Sequence, residues 1–384
     1  MRIIIPFSYF YEGNGGIYTF TKSFARQAAI FGHEVIIIRA GEKDLDKLQD
    51  NYRVINIKHK TRRFLRKSRD FVAFAKKAKP IINKLNPDVV LASSLSALAG
   101  IDTKIPLVFR TTGPPVRQIF HVQYRTTNIF HWPQIYLDYL LQRPLEALVA
   151  RSADGILCQS KELYDLWKKE YSLNSKFHTP CTMVDTSIFS PKIKSNIKNK
   201  LKISKNDPVI LFSGGLSLMK GGNLIENVIK KSLDNIINLH VIFVGKVLFK
   251  PDFSEEYKKR VHFIGHVDHV KMPLYYNAAD VLIHVSTKFE GFPNSVMEAM
   301  ACGLPIIANN FTSGISDYLK HNKNSLIFDN EKDLVNAIGL LVKNKNLRNY
   351  LSKNARITAL NYDSKKVTRD IINFVKNYLP VKKI

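Results

Sequence analysis

The sequence predicts an α/β chain of two Rossmann-like domains, and three observations carry that prediction. The 384 residues are too many for one ordinary domain and suit two of moderate size. Near the start, the apolar run Arg2–Phe7 leads into Gly13-Asn14-Gly15-Gly16, an amphipathic stretch and a second apolar run, Glu34–Arg39. Further on the same order returns, from Val281–Ser286 through a turn and a short helix to Pro305–Ala308. Strand, glycine loop, helix, strand is the repeating unit of a doubly wound parallel sheet.

Composition narrows the classes. Hydrophobic residues make up 45% of the chain, enough for packed cores, yet no run reaches the ~18 apolar residues of a membrane-spanning helix. The stretch from Met1 to Phe7 reads as a strand and not as a signal peptide, because its apolar part is brief and no small-residue cleavage site follows. Cys158, Cys181 and Cys302, odd in number and far apart, point to reduced thiols in a cytoplasm and away from a disulfide framework or zinc site. The 58 basic against 32 acidic residues leave a net charge of +26, which attracts polyanions: acidic lipid, nucleic acid or phosphorylated substrates.

In the first half, Phe20, Phe24, Ala28 and Phe31 fall on one face of a helix that Gly32-His33 closes. Asp44-Leu45-Asp46 has a spacing able to bind a metal nucleotide, but it sits among Lys and Gln and reads as a solvated loop without metal. Residues 58–79 carry ten Lys or Arg against one acid, Asp70, while Phe64, Phe71, Ala75 and Ala78 share one helical stripe. Such a helix either packs its stripe on the sheet with the basic face in water, or lays that face on an anionic membrane at about 1 kcal/mol per nearby cation. Pro87–Ala92 and Ile105–Thr111 are further strands, the second running into Thr112-Gly113. Gln118–Gln142, with His121, Tyr124, Arg125, His131 and Trp132, reads as a surface loop, open to contact with an acceptor. Ala153–Ser160 supplies a last strand for this half, and 192–207, rich in Lys, Asn and Ser, a linker or peripheral helix.

The second half opens with the strand Val209–Phe212, then Ser213-Gly214-Gly215, with Lys220 ahead of Gly221-Gly222. A glycine turn with a lysine before a helix suits a diphosphate, although the spacing is not that of a P-loop. Leu239–Val244 and Val261–Ile264 follow as strands. His262, His266 and His269 straddle a strand end and its turn, and are not credited with a zinc ion. The run from Glu290 to Glu298 then lies beyond a strand end, where ligands of such sheets bind. Ser295 and Glu298 have the spacing of a capping box, and Gly303 stops the helix. Free amides near Asn294, Ser295 and Val296 favour an anion such as a diphosphate. A carboxylate suits hydroxyls instead, so Glu298 fits a ribose and Glu290 a second polyol; as a lone pair, though, they read first as a helix cap and a solvated loop acid. Asp363 caps a final helix whose apolar face holds Val367, Ile371, Phe374, Val375 and Tyr378.

The full string adds weight to the binding reading. Glu290, Gly291, Phe292, Pro293, Asn294, Glu298, Ala299, Cys302, Gly303 and Pro305 stand where the retaining glycosyltransferases of family four, which have the GT-B fold, carry their two-glutamate signature, and the chain resembles that family. The resemblance implies two Rossmann-like domains facing a cleft, with the C-terminal helix crossing back. An acceptor-side domain would cover 1–190, joined by 363–384, and a nucleotide-sugar domain 191–362. Glu290 and Lys220 take the catalytic roles, at the donor sugar and the leaving diphosphate. Glu298 binds the ribose, and backbone through Gly291, Phe292, Pro293, Asn294, Ser295 and Val296 meets diphosphate and sugar. Gly15, Gly16 and Thr112 lie by the cleft, Gly214 and Gly215 by the diphosphate, and His266 and Val267 by the base. Two positions depart from the family pattern: Gly215 stands where an Arg is usual, and Thr112 where a His is.

The implied activity is metal-independent transfer, with retention, of a sugar from a nucleotide diphosphate donor to a glycan or lipid-linked acceptor in cell-envelope polysaccharide synthesis. No cofactor is implied beyond the donor. The partners are the nucleotide sugar, the acceptor and an anionic membrane surface met through 58–79, with no specific nucleic acid. The location is cytoplasmic, peripheral on the inner membrane face. Rival readings are a sugar-nucleotide epimerase of related fold and a non-catalytic polyanion-binding protein on a transferase scaffold.

Overall fold

The computed structural model describes residues 1–8, 15–59, 67–120, 132–214, 216, 221–248, 251–286, 293–309 and 315–379. Two compact units emerge, Met1–Met183 with Ser364–Ile384, and Val184–Asp363. The first break falls after Met183 and not after 190, because Val184 and Phe189 are already buried in the core of the second unit.

In the first unit, runs of Ile and Val make β1 (Arg2–Phe7), β2 (Glu34–Gly41) and β5 (Val89–Ser93), almost wholly buried as parallel strands are. They join β3 (Leu45–Gln49), β4 (Tyr52–Lys58), β6 (Leu107–Arg110), β7 (Gly155–Leu157) and β8 (Lys176–His178) in one sheet of order β3-β4-β2-β1-β5-β6-β7-β8. Every pair is parallel except β3 with β4. β8 lies beyond β7, where the sequence reading ended the sheet.

Leu45 and Asp46 are therefore in a strand and not in a solvated loop. The chain doubles back through Asp50 and Asn51, both at positive φ (46° and 70°), the backbone that a two-residue hairpin turn demands. Arg53 Nε donates to Asp46 Oδ1 at 2.8 Å, and the Lys58 amide donates to Asp44 Oδ1 at 2.6 Å. Both carboxylates thus serve the hairpin.

The helix Gly16–Ile30 buries Phe20, Phe24, Ala25 and Ala28. The helix Ser364–Lys376 packs against it, with Val367, Ile371, Ile372 and Val375 in the same cluster, so the C-terminal helix does return to the first unit. Tyr378 follows, and its ring lies 2.7 Å from where a Cβ on Gly155 would stand, so any side chain at the start of β7 would displace that ring. In the helix Lys67–Leu85, Phe71, Ala75 and Ala78 are buried as expected, with Phe74 and Ile82, while Lys76, Lys77 and Lys84 are exposed. Phe64 and the cations between 60 and 66 lie outside the described residues.

The second unit is built on β9 (Val209–Ser213), β10 (His240–Val244), β11 (Val261–Gly265), β12 (Val281–His284), β13 (Ile306–Asn309) and β14 (Ser325–Phe328). All are parallel, in the order β11-β10-β9-β12-β13-β14. Alternation along the strands sorts the core: Val209 and Leu211 face one cluster, Ile210 and Phe212 the other. The chain leaves β9 toward β10 on one side and reaches β12 on the other, so the β9–β12 boundary is the topological switch point. The 192–207 stretch is no linker: Ile197, at the start of the short helix Ile197–Lys200, and Ile203 are buried in this core. Among the described residues, no helix is long and apolar enough to cross a membrane.

Candidate functional site

The carboxyl edge of the second sheet is laced by glycine turns. The Gly214 amide, just past β9, donates to Val244 O at 3.1 Å, and the Gly245 amide, just past β10, donates to Gly265 O at 2.7 Å. Leu216 continues the lacing, with its amide on Lys246 O at 2.9 Å. Gly221 closes the turn that starts the helix Gly222–Asn235. It holds φ +73°, and a Cβ there would come 2.5 Å from Val285 Cγ1. Only glycine lets this turn press on the end of β12.

β12 itself is tied to β13 by a side-chain latch. The Ser286 amide donates to Asn309 Oδ1 at 3.1 Å, and Asn309 Nδ2 donates to Ser286 O at 2.7 Å. Both residues are buried. The latch fixes the point from which the chain departs toward the signature loop.

Beyond that loop stands the helix Asn294–Ala301. Its N-cap is Pro293, with no side-chain cap bond, so the expected Ser295–Glu298 capping box does not form. Ser295 is already inside the helix, one turn before Glu298. The Val296 amide donates to Pro293 O at 3.1 Å, which narrows the expected anion donors to the amides of Asn294 and Ser295. Gly303, at φ +71°, follows the end of the helix as expected.

Glu298 turns inward and is only 7% exposed. His269 Nε2 lies 2.7 Å from its Oε1, and the Tyr276 hydroxyl donates to its Oε2 at 2.9 Å. Tyr276 OH also lies 3.2 Å from Ser213 Oγ, on the last residue of β9. Burial, reinforced by the Glu298 charge, pushes the Tyr276 phenol well above its ordinary pKa, so it keeps its proton and donates. The His269 ring rests 5.1 Å from that of Phe189. His269 and Tyr276, from one short helical stretch, thereby hold the carboxylate, with Ser213 behind Tyr276 and Phe189 against His269. A carboxylate accepts at about four lone-pair positions, of which these two donors take two.

The three clustered histidines part company. His262 meets His240 on the neighbouring strand at 3.1 Å, His269 meets Glu298, and His266 is exposed after Gly265. Val267 is half-buried against the core. Among the described residues no group of three or more His, Cys, Asp or Glu is arranged to hold a metal ion. Neither His269, Tyr276, Ser213 nor Asn309 was singled out as a site residue by sequence. Only Asn309, a polar residue closing the apolar run of β13, carries a local signal.

In the first unit, Gly15 is the extended, exposed N-cap of the helix Gly16–Ile30, with open space where a Cβ would stand. Thr112 is half-buried past the end of β6. Its loop is pinned by Trp167 Nε1, which donates to Gly113 O at 2.8 Å, and by the Val116 amide, which donates to Glu146 Oε2 at 2.8 Å. Glu290, Lys220, Gly215, Gly291 and Phe292 lie outside the described residues, as do Gly13, Asn14, His121, Tyr124, Arg125 and His131.

Residues 193–358 match the family model for glycosyl transferases group 1, and residues 14–188 that for glycosyltransferase family 4. An uncharacterized glycosyltransferase of Methanocaldococcus jannaschii is 27% identical over 57% of this chain and 57% of its own length, and spore coat protein SA of Bacillus subtilis is 25% identical over 53% and 59%. The chain thus spans under two thirds of these curated relatives. Sucrose-phosphate synthase of Thermosynechococcus elongatus superposes with a TM-score of 0.79 at 17% identity, over 97% of this chain and 98% of that one. HepE of Anabaena, solved with UDP-glucose, does so at 0.70 and 18% identity, over 97% and 99%. At these identities the likeness is one of fold.

Proposed function

From the premise that this chain belongs to the group 1 and family 4 glycosyltransferases of GT-B type, we propose that it transfers a sugar, with retention, from a nucleoside diphosphate donor to an acceptor hydroxyl. The single observation that carries the reading is Glu298, a buried carboxylate held on both oxygens at the carboxyl edge of the sheet, beside its switch point. Such a fixed acceptor suits the two hydroxyls of a ribose.

In this reading the bond between the anomeric carbon and the diphosphate oxygen breaks first. The amides of Asn294 and Ser295, with Lys220, take up the charge that grows on the leaving diphosphate. Gly214 and the turn of His266 and Val267 border the nucleotide, and Glu290 faces the donor sugar. The leaving phosphate accepts the proton of the attacking hydroxyl, and Lys220 with the amides fills the role that a metal would have on the diphosphate. The HepE complex with UDP-glucose supports a UDP-sugar as donor. The acceptor is a glycan or lipid-linked intermediate of envelope polysaccharide synthesis, met at the inner membrane face; the +26 charge supports that part.

A panel of nucleotide sugars, scored by thermal stabilisation and by turnover with and without EDTA, tests the reading. At least one donor should stabilise the wild type and fail to stabilise Glu298→Ala. If no nucleotide sugar binds, or the two proteins respond alike, the reading fails.

A further inference from the structure

The helix Trp132–Ser152 is apolar on the wrong side. Val149 and Ala150 are buried, and the helix packs inward on the turn Ser94–Gly100 and on the helices Lys67–Leu85 and Lys161–Tyr171. Its outward face is apolar as well. Pro133, Tyr136, Leu137, Leu140, Leu141 and Leu148 recur at helical spacing and all are exposed, Tyr136 by 52%, Leu140 by 48% and Leu148 by 47%. At 1.5 Å per residue this ridge runs about 22 Å. Phe120 extends its aromatic end, stacked on Tyr139 with centroids 4.7 Å apart. A helix apolar all round belongs in a core or in lipid, and this one has water on one side.

The surroundings say what covers it. Arg117 and Arg143, exposed and sharing the carboxylate of Glu170, stand at its flank, and the neighbouring helix carries the exposed Lys76, Lys77 and Lys84. The chain as a whole carries +26. A second copy would fit the ridge in chemistry but would bring the same charge; an anionic lipid leaflet brings the opposite one. We propose that the outward ridge of this helix is a membrane-docking edge that seats in the headgroup and upper acyl layer of an anionic leaflet. Leucines and the tyrosine enter the apolar boundary, while the flanking arginines and lysines stay at the headgroups. The inserting ridge is on a different helix from the basic stretch 58–79, which contributes only Lys76 and Lys77 to its surroundings. It extends the transfer reading by giving the enzyme a place to meet a lipid-linked acceptor, but it does not depend on turnover.

The test measures binding to vesicles of phosphatidylcholine with phosphatidylglycerol, without donor. The joint variant Leu137→Gln, Leu140→Gln, Leu141→Gln should lose at least about tenfold in partitioning while keeping the wild-type melting temperature, because apolar insertion is removed and charge is not. All three native cysteines are buried, so Leu140→Cys can be labelled selectively with an environment-sensitive dye. Its emission should shift to the blue on these vesicles and not on phosphatidylcholine alone. Wild-type binding by the joint variant, or a dye that stays in water, overturns the proposal. So does lipid-free self-association of the wild type that the joint variant abolishes, which would make the ridge a dimer contact. Turnover of a donor with a soluble acceptor reads the transfer proposal separately, so the two can fail apart.

Discussion

His269 is the residue whose part was least expected. Its contact with Glu298 is a hydrogen bond to a charged group, of the kind that contributes about 1.5–3 kcal/mol. If that contact holds the carboxylate for the ribose, His269→Ala should raise the dissociation constant for UDP by about ten- to hundredfold. His269→Gln, which can still donate, should recover part of it, and turnover at saturating donor should change less than affinity. Titration calorimetry against UDP checks this, and unchanged affinity in His269→Ala would remove it from the site. A second residue-scale prediction concerns Glu146. Loss of solvent pushes its carboxyl up to about 7, against hydrogen bonds from Tyr171 and the Val116 amide that pull it down, with Glu170 adding to the rise. Arg117 and Arg143 face the same corner and pair with Glu170. A raised pKa means that the folded state holds the proton more tightly than the unfolded chain. The associated stability is complete below the ordinary value of 4.5 and is lost as pH rises through about 7. Thermal melts should therefore show a fall across that window, and Glu146→Gln should flatten it.

At the scale of elements, the alternation of strand and helix is legible because β1, β2, β5, β9 and β12 are short apolar runs that only a sheet covered on both faces can hide. The β3–β4 hairpin is not legible, because Asp50-Asn51 lacks a glycine and β3 is too polar to stand out. The site divides in the same way. The string around Glu298 is local and readable, but its partners His269 and Tyr276, and Ser213 behind Tyr276, come from two other segments, and only folding brings them together. The capping box fails for a related reason: the helix is capped at Pro293, two residues ahead of Ser295, which turns Glu298 into the core instead of back over the helix end. The Asn309 latch shows how one side chain can stand in for a strand. Asn309→Ala strips partners from a buried N–H and a buried carbonyl of Ser286, at about 1–3 kcal/mol for each unsatisfied group. Urea unfolding should read a loss of about 2–5 kcal/mol, and Asn309→Asp, which accepts but cannot donate, should fall between. A loss under half a kcal/mol would mean that water replaces the latch without cost.

For the whole molecule, the net charge of +26 makes association with anionic surfaces depend on salt. Screening shortens the reach of these charges to about 10 Å at 0.1 M salt. Binding to phosphatidylglycerol vesicles should fall as salt rises, and the joint variant Arg62→Glu, Arg63→Glu, Arg66→Glu, Lys67→Glu should weaken it while the chain stays folded. Sedimentation with vesicles across a salt series checks this; indifference to salt and to the four changes, or tighter binding to DNA, would count against it. The order of the chain carries a different consequence. The first unit is interrupted: 180 residues of the second unit, Val184–Asp363, are translated before the helix Ser364–Lys376 that completes its core. During synthesis the second unit therefore has all its strands and helices in hand while the first still lacks Val367, Ile371 and Val375 against Phe20 and Phe24. This arrangement works against the usual order of nascent folding, N-terminal domain first. The half of the protein that the ribosome makes first is the half that finishes last.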